Sequence, residues 1–386
     1  MNDLDFKIYK WVAGGFLAAY HLALLVLLPI YFIKFGIPTL GIIAFTFILF
    51  VLSGLSITGG YHRYFSHRSY KTNPIIEHFL LFFGAIAVQG SALRWSFDHR
   101  LHHAYVDTDK DPYSINRGFW YAHFIWFFDR PIEIDPKLAS DLMRNKRVMF
   151  QHKYYGTYTI IANLIVISLV GLLFHNFFAA FLFAGLFRLF MLHHFTWFIN
   201  SLAHTWGAKT YSKEHTAVDN YVISLLTFGE GYHNYHHTFC TDYRNGVRWF
   251  HFDPTKWMIW TLSKFGLAKG LKTVEAFKMK ERQINYDKKY LLKKLKLILN
   301  VNHDMIEDKV ITTSTTLLNT LSEMSNISAH YGKLKNNLKE AAPMATLNQL
   351  KDELNELRAN FDLEWKNWLK LSTQIVKKKG VLITES

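Results

Sequence analysis

Histidine is the residue type whose spacing in this chain carries the most chemical information. The sequence contains 20 histidines, and eight of them fall into the short clusters HRYFSH, HRLHH and HNYHH. These are His62 and His67, then His99, His102 and His103, and finally His233, His236 and His237. Offsets of three and four residues share one face of an α-helix, so each of the last two clusters can hold one metal ion or a close pair. The first cluster has an offset of five, about 140° around an α-helix, so we expect His62 and His67 to serve different metals or to lie across a helix end.

Metal binding accounts for imidazoles that are crowded together in this way. Without a metal, burial would penalise their protonated forms and the charges would repel one another. Neutral imidazole binds zinc, copper, iron and nickel, so the ligand type alone leaves the metal open. A structural zinc site closes with four ligands, whereas eight or nine imidazoles indicate two metals with four or five ligands each. The single cysteine, Cys240, excludes a cysteine-ligated zinc or iron–sulfur site.

Four long apolar segments must position these clusters. They cover about residues 11–33, 37–59, 157–175 and 177–199, and each is long enough to cross roughly 30 Å of hydrocarbon. We therefore predict an all-α integral membrane protein, with four transmembrane helices and a histidine-rich cap. Thirteen lysines and arginines lie in residues 60–155, so the positive-inside rule predicts that this segment, the histidine clusters and both termini are cytoplasmic.

Beyond the apolar segments the chain changes character. Residues 1–270 are predicted to form the membrane domain, and residues 271–386 a basic, helical C-terminal extension. Within the extension, residues 278–300 suit a helix at a membrane surface, against a partner or in solvent, and the apolar residues 347–361 repeat like a heptad. The net charge of +14 favours anionic lipid, an acidic electron carrier or a phosphorylated substrate as partner. No nucleic-acid motif is present, so we expect no nucleic-acid partner.

The order of the histidine motifs resembles that of the membrane-bound fatty acyl desaturases of the stearoyl-CoA (delta-9) type. The resemblance covers roughly residues 37 to 265 and includes NSLAH at 200–204 and GEGYHNYHHTF at 229–239. It implies a cytoplasmic diiron centre, with two iron ions held by nine histidines, namely the eight above and His204, and a metal-bound water oriented by Asn200. It also implies an enzyme that uses dioxygen and two electrons to insert a cis double bond, at the delta-9 position, into a saturated acyl chain.

The same resemblance suggests residues that surround the substrate. Trp95, Thr196 and Trp197 are expected to line an acyl tunnel near the metals. DPYSINRGFW resembles the segment that contacts coenzyme A, which makes Arg117, and then Arg94, candidates for its phosphates. The segment has fewer basic residues than the family usually shows, so an acyl group esterified in a lipid stays open as the substrate.

Three further expectations concern the tunnel floor, the acceptors behind the imidazoles and a loop of carboxylates. Thr46 and Phe50 precede His62 by 12 to 16 residues, roughly 18 to 24 Å of helix, and are expected to form the floor of the tunnel. Asp98 and Glu230 are expected to accept hydrogen bonds from ligand imidazoles. The carboxylates of DTDKDPY, Asp107, Asp109 and Asp111, are expected to lie in a solvated loop.

Two rival functions and one partner complete the predictions. A membrane diiron hydroxylase of the alkane or sterol type would share the histidine motifs. A histidine-rich metal transporter would instead place its ligands at mid-membrane, whereas these clusters fall outside the apolar segments. The haem-binding motif HPGG does not occur in the sequence, so we expect electrons from a separate carrier, such as a ferredoxin, a rubredoxin or a b-type cytochrome.

Overall fold

The structure is a computed structural model that describes residues 3–129, 131–298, 302–336 and 343–377. Its α-helices are α1 (Asp3–Phe35), α2 (Leu40–Leu55), α3 (Pro74–Ala85), α4 (Ala92–Tyr105), α5 (Phe119–His123), α6 (Pro136–Met143), α7 (Lys146–Lys153), α8 (Tyr155–Leu173), α9 (Phe177–Ala179), α10 (Arg188–Ser201), α11 (Tyr221–Leu226), α12 (His233–Thr238), α13 (Pro254–Lys264), α14 (Ala276–Leu295), α15 (His303–Asn336) and α16 (Met344–Lys377). Among the described residues, the one sheet pairs β1 (Lys71–Thr72) antiparallel with β2 (Ala268–Lys269). The all-α prediction is confirmed apart from this short ladder.

Four helical spans are long and apolar enough to cross a membrane, which confirms the predicted number. They cover Trp11–Phe35, Leu40–Ser66, Tyr155–Leu173 and Phe177–His204. Each hairpin turns at a residue with positive φ, Gly36 at 71° and His175 at 50°. The second helix of each hairpin is capped: Thr39 accepts from the amide of Ile42, and Asn176 from the amide of Ala179.

The second and fourth spans run further than the sequence predicted, to residues 66 and 204 instead of 59 and 199. The second continues α2 through a π-helical segment, Ser56–Ser66. The fourth contains another, Ala180–Phe187, and ends in the 3₁₀ turn Leu202–His204 after α10. Hydropathy falls where polar residues begin, but helical hydrogen bonding continues, so His62 and His204 lie on the membrane-crossing helices themselves.

The chain divides into two compact units. The first comprises residues 3–210 and His215–Thr273, and it contains the four spans and the helices that cap them. Its largest apolar core joins the π-helical segment to α4, α6 and α7 through Tyr61, Phe65, Phe97, Leu142 and Val148.

The second unit comprises Tyr211–Glu214 and residues 274–377, as far as the structure describes it. Helices α14, α15 and α16 pack together around Leu291, Leu317, Leu354, Phe361 and Trp368. Lys213 and Glu214 pair with Asp287 and Lys289 of α14 at 2.9 and 2.8 Å. The division falls at 273/274, beside the predicted boundary at 270/271.

Candidate metal centre and substrate cavities

All nine histidines suggested by the sequence converge in two groups. The first contains five, His62, His67, His99, His103 and His236, and the second contains four, His102, His204, His233 and His237. Within each group the candidate ligand atoms all lie within 4.8 Å of one another. The two groups are adjacent, since the imidazole rings of His103 and His237 stack with their centroids 4.3 Å apart.

The facing nitrogens have the spacing that a metal requires. Nε2 of His62 lies 3.0 Å from that of His236, which lies 2.9 Å from that of His103. In the second group, Nε2 of His233 lies 3.1 Å from those of His204 and His237. Two imidazoles bound at about 2.1 Å and at right angles would have their nitrogens about 3.0 Å apart. The residues present therefore fit a pair of metal ions, one in each group.

Each H-x-x-H-H motif divides its histidines between the groups. On α4, His99 and His103 join the group of five while His102 joins the group of four. On α12 the i, i+4 pair, His233 and His237, joins the group of four, and His236 joins the group of five. The two short helices thereby tie the groups together, so neither group can form without both motifs.

His62 and His67 lie in the same group of candidate ligands, so the expectation of different metals is wrong, but His67 is the C-cap of the segment that contains His62, so the alternative expectation, a position across a helix end, is confirmed. The segment that carries them is π-helical, and the amide of His67 donates to the carbonyl of His62 at 3.1 Å. Because a π-helix bonds residue i to residue i+5, this offset brings both side chains to one face. The prediction assumed that the segment is an α-helix, whereas it is a π-helix.

The environment keeps six of the candidate ligands neutral and able to offer a lone pair. Burial first, and then repulsion from neighbouring groups, chiefly the other imidazoles, lower the pKa of six candidate ligands well below the usual histidine value: His67, His99, His103, His233, His236 and His237. A neutral imidazole is the form that binds a metal.

Acceptors on the outer side of three imidazoles fix which nitrogen faces inward. Nδ1 of His62 lies 3.0 Å from Glu230, and Nδ1 of His102 lies 2.8 Å from Asp111. Nδ1 of His204 lies 2.7 Å from the Thr216 hydroxyl, which donates to Asp107 at 2.5 Å. A proton held on Nδ1 leaves the Nε2 lone pair for the metal.

Only part of this outer layer was anticipated from the sequence. Glu230 lies where the prediction put it. Asp98 instead pairs with Arg94, one turn earlier on α4, because oppositely charged residues at i, i+4 are neighbours on a helix. Asp107 and Asp111 were assigned to a solvated loop, but Asp111 is buried against His102, and Asp107 accepts from the Thr216 hydroxyl. Thr216 was not predicted, and no motif in the sequence points to it.

A buried charge network lies behind Glu230. The guanidinium of Arg63, 1% exposed, contacts Glu230 at 2.9 Å and Asp253 at 2.9 Å, and donates to the carbonyl of Tyr243 at 2.7 Å. Burial opposes ionisation of Glu230, but its contacts with His62 and with the Arg63 guanidinium outweigh it and lower the pKa of this carboxyl. Glu230 is therefore an anion that the fold holds in one place.

A small inner cavity opens directly onto the histidines. It has a volume of about 70 Å³ and is lined by His62, His99, His102 and His233 together with Trp95, Thr196, Trp197 and Asn200. Gln89 also lines it and donates to the hydroxyl of Thr196 at 2.9 Å. The residues expected near the metals therefore share one cavity with the imidazoles.

A larger outer cavity, of about 1010 Å³, adjoins the inner one. The two share the lining residues Gln89, Asp98, Trp126, Phe127 and Trp197. Arg94 and Arg117 line the outer cavity, as does Lys110. Both arginines already have carboxylate partners: Arg94 pairs with Asp98, and Arg117 with Asp129 at 2.9 Å.

Thr46 and Phe50 lie deeper, on α2, and line neither of these two cavities. The ring of Phe50 contacts those of Phe195 and Phe228, with centroids 5.9 and 5.3 Å apart. Thr46 is buried, and among the described residues its hydroxyl has no hydrogen-bond partner. Their expected role as the tunnel floor stays a prediction.

Comparison with known proteins identifies the family. The family model described as fatty acid desaturase matches residues 35–268, which include every candidate ligand and both cavities except the α1 wall of the outer one. The chain belongs to the fatty acid desaturase family. The predicted resemblance is thereby confirmed.

Several curated desaturases are similar to the chain. It is 43% identical over 254 residues to the probable acyl-CoA desaturase of Schizosaccharomyces pombe, covering 62% of this chain and 53% of that protein. It is 38% identical over 261 residues to acyl-CoA desaturase 1 of Saccharomyces cerevisiae, covering 66% and 51%. It is 36% identical over 267 residues to the sn-2 palmitoyl-lipid 9-desaturase of a Nostoc species, covering 67% and 89%. The chain thus spans about half the length of the two yeast relatives.

Proposed function

We propose that this protein is an oxygen-dependent acyl-CoA desaturase that inserts a cis double bond between the ninth and tenth carbons of a saturated chain. The observation that carries the proposal is the pair of histidine groups facing one cavity with Trp95, Thr196 and Trp197. Relatives named acyl-CoA desaturases support a coenzyme A thioester as the substrate. The cationic side chains of the outer cavity suit the phosphates of coenzyme A.

The metal in this proposal is iron, in two ions. The nine histidines would hold them, five on one and four on the other, and the group of four has room for a water oriented by Asn200. Iron would supply the activation of dioxygen, which no side chain can perform. Glu230 and Asp111 are the carboxylates in contact with His62 and His102, and they would offset part of the metal charge.

The side chains also have to position the substrate and exclude water. The outer cavity would receive the thioester end, while Trp95 and Trp197 narrow the inner cavity around one pair of methylene carbons. The reaction balances when two hydrogens leave the substrate and two protons and two electrons arrive, so that one dioxygen becomes two waters. The electrons would come from a separate carrier, and the positive charge of residues 60–155 supports a cytoplasmic position for the histidine side.

Expression in a host without its own acyl desaturase tests the proposal. Mass spectrometry should find monounsaturated chains with the double bond at the ninth carbon, and the purified protein should contain iron. His103→Ala and His237→Ala, one ligand from each group, should abolish the product and lower bound iron. The exposed His78 on α3 offers a matched control, because His78→Ala should retain both.

Two results would contradict the proposal. Full activity in either ligand variant would exclude this ligand set. Hydroxylated chains or sterols in place of unsaturated chains would indicate a hydroxylase.

A further inference from the structure

Five exposed aromatic side chains lie outside the four spans, before α13, on it and directly after it. They are Trp249, Phe250, Trp257, Trp260 and Phe265, which we call the aromatic face. Trp249 is 86% exposed, Trp260 51% and Phe265 76%. On α13, Trp257 and Trp260 are three residues apart and therefore lie on one side of the helix, and Phe265 follows directly after the helix ends at Lys264. Such a concentration of exposed rings is unusual for a surface that faces water.

Within residues 248–265, the charged side chains that contact the exposed rings are positive. Lys264 lies over the ring of Trp260, with Nζ 5.0 Å from the centroid, and Arg248 lies over Phe250 at 5.8 Å. The one carboxylate in residues 248–265 is Asp253, which is buried against Arg63. Exposed tryptophans beside lysine and arginine are the composition of a helix that lies in a membrane interface.

The position of α13 in the fold also fits the membrane interface. The hydroxyl of its Thr255 lies 2.6 Å from that of Thr58, on the second span. Thr58 is 18 residues beyond the start of that span at Leu40, or about 27 Å along a helix at 1.5 Å per residue. Because the hydrocarbon is about 30 Å thick, Thr58 lies near its edge. Helix α13 is therefore held where the second span leaves the lipid.

We propose that the aromatic face is an interfacial membrane anchor, which inserts its rings among the headgroups and places Arg248 and Lys264 against anionic lipid phosphates. The anchor is tied to the histidine groups, because Asp253 caps α13 and also binds Arg63, the partner of Glu230. The ring of Tyr232, next to His233, stacks on His251 with centroids 4.6 Å apart. Membrane contact at α13 would thus fix the depth of the segment that carries the third histidine motif. The proposal requires the spans alone and is independent of the metal and the substrate.

The single cysteine makes a direct test possible. In the full chain with Cys240→Ser, nitroxide labels are attached at Trp257→Cys, Trp260→Cys or Phe265→Cys, and the protein is placed in nanodiscs of phosphatidylcholine and phosphatidylglycerol. Collision with oxygen, which enters lipid, is compared with collision with a nickel chelate, which stays in water. Leu164→Cys, exposed on the third span, and Ser140→Cys, exposed on α6, provide the lipid and water references.

The expected result is a higher oxygen-to-nickel ratio at all three anchor positions than at residue 140, approaching the ratio at residue 164. The ratio at 260 should fall when phosphatidylglycerol is omitted. A ratio at all three positions equal to that at residue 140 would overturn the proposal, and would leave the face to a partner protein. Each variant is compared only if it keeps the parental metal content, and Thr261→Cys, also exposed on α13, replaces any that does not.

Discussion

Nδ1 of His102 lies 2.8 Å from Oδ1 of Asp111, a residue nine positions further along the chain. The loop between them folds back, so that the buried Asp111 carboxylate accepts a hydrogen bond from the imidazole N–H. The contact sets the tautomer of a ligand in the group of four, and it leaves Nε2 of His102 facing Nε2 of His237 at 3.2 Å.

Asp111→Asn should therefore weaken metal retention. The substitution removes the negative charge and one of the two acceptor oxygens, both of which are used here, and loss of such a partner behind a ligand histidine typically reduces metal affinity or activity by about 10- to 100-fold. Metal content after exposure to a chelator, together with turnover, measures the effect. Asp109→Asn is the matched control, since Asp109 is exposed and two residues away. Equal behaviour of the two variants would mean that the contact has no part in the centre.

Asn200→Ala should separate metal content from turnover. The Asn200 side chain lines the inner cavity beside His233, and an amide can orient a metal-bound water without replacing an imidazole. We expect the variant to retain most of its metal and to lose most of its activity. Parallel loss of both would make Asn200 a structural residue.

The pair of Arg117 and Asp129 allows a test of the thioester. Arg117→Gln should raise KM for an acyl-CoA by roughly tenfold, the effect of a charged hydrogen bond of about 1.4 kcal/mol, with kcat unchanged. Asp129→Asn should lower KM, because it removes the carboxylate that competes with phosphate for this arginine. Steady-state kinetics at low salt resolves both changes. If neither variant alters KM, the acyl group arrives on a lipid instead.

Substitutions at Phe50 and Thr46 should change the length of chain that the enzyme accepts. Phe50→Ala removes a ring packed against Phe195 and Phe228, so products should become a few carbons longer. Thr46→Trp should have the opposite effect. Phe47→Ala is the control, because Phe47 lies on the same helix but is 63% exposed. The double bond should stay at the same carbon counted from the carboxyl group, and a shifted bond would show that this account of the tunnel is wrong.

Truncation after Thr273 should leave the metal centre intact, because all nine histidines lie in the first unit. The shortened chain keeps Lys272, whose amide donates to the carbonyl of Ser69 at 2.8 Å. If the basic side chains of α14 attract an acidic electron carrier, any loss of activity should disappear at high ionic strength, where the full chain loses the same attraction. A truncated protein without metal would show that the second unit is needed for the fold.

The sequence predicts some of this architecture well because the relevant signals are local. Four apolar segments predict four spans, and the offsets in H-x-x-H-H place imidazoles on one helical face. His204 shows the limit, because its segment has one histidine and only the family resemblance selects it. Contacts such as Asp111 with His102, or Thr216 with His204, depend on where loops fold back, which no periodicity records. The i, i+4 spacing of Arg94 and Asp98 could have predicted their ion pair, in which Asp98 binds Arg94 instead of a histidine.

The π-helical segment at residues 56–66 has poorer hydrogen-bond geometry than an α-helix, which makes the segment less stable. An ordinary α-helix there would gain better hydrogen-bond geometry, yet it would turn His67 away from His62 and divide the group of five. Gly59 and Gly60 allow the segment to pack closely in its present form, since a Cβ on Gly59 would come within 2.4 Å of Met258 and one on Gly60 within 3.0 Å of Leu80. A designer who regularised this helix would obtain a more stable membrane protein in which the group of five histidines is divided.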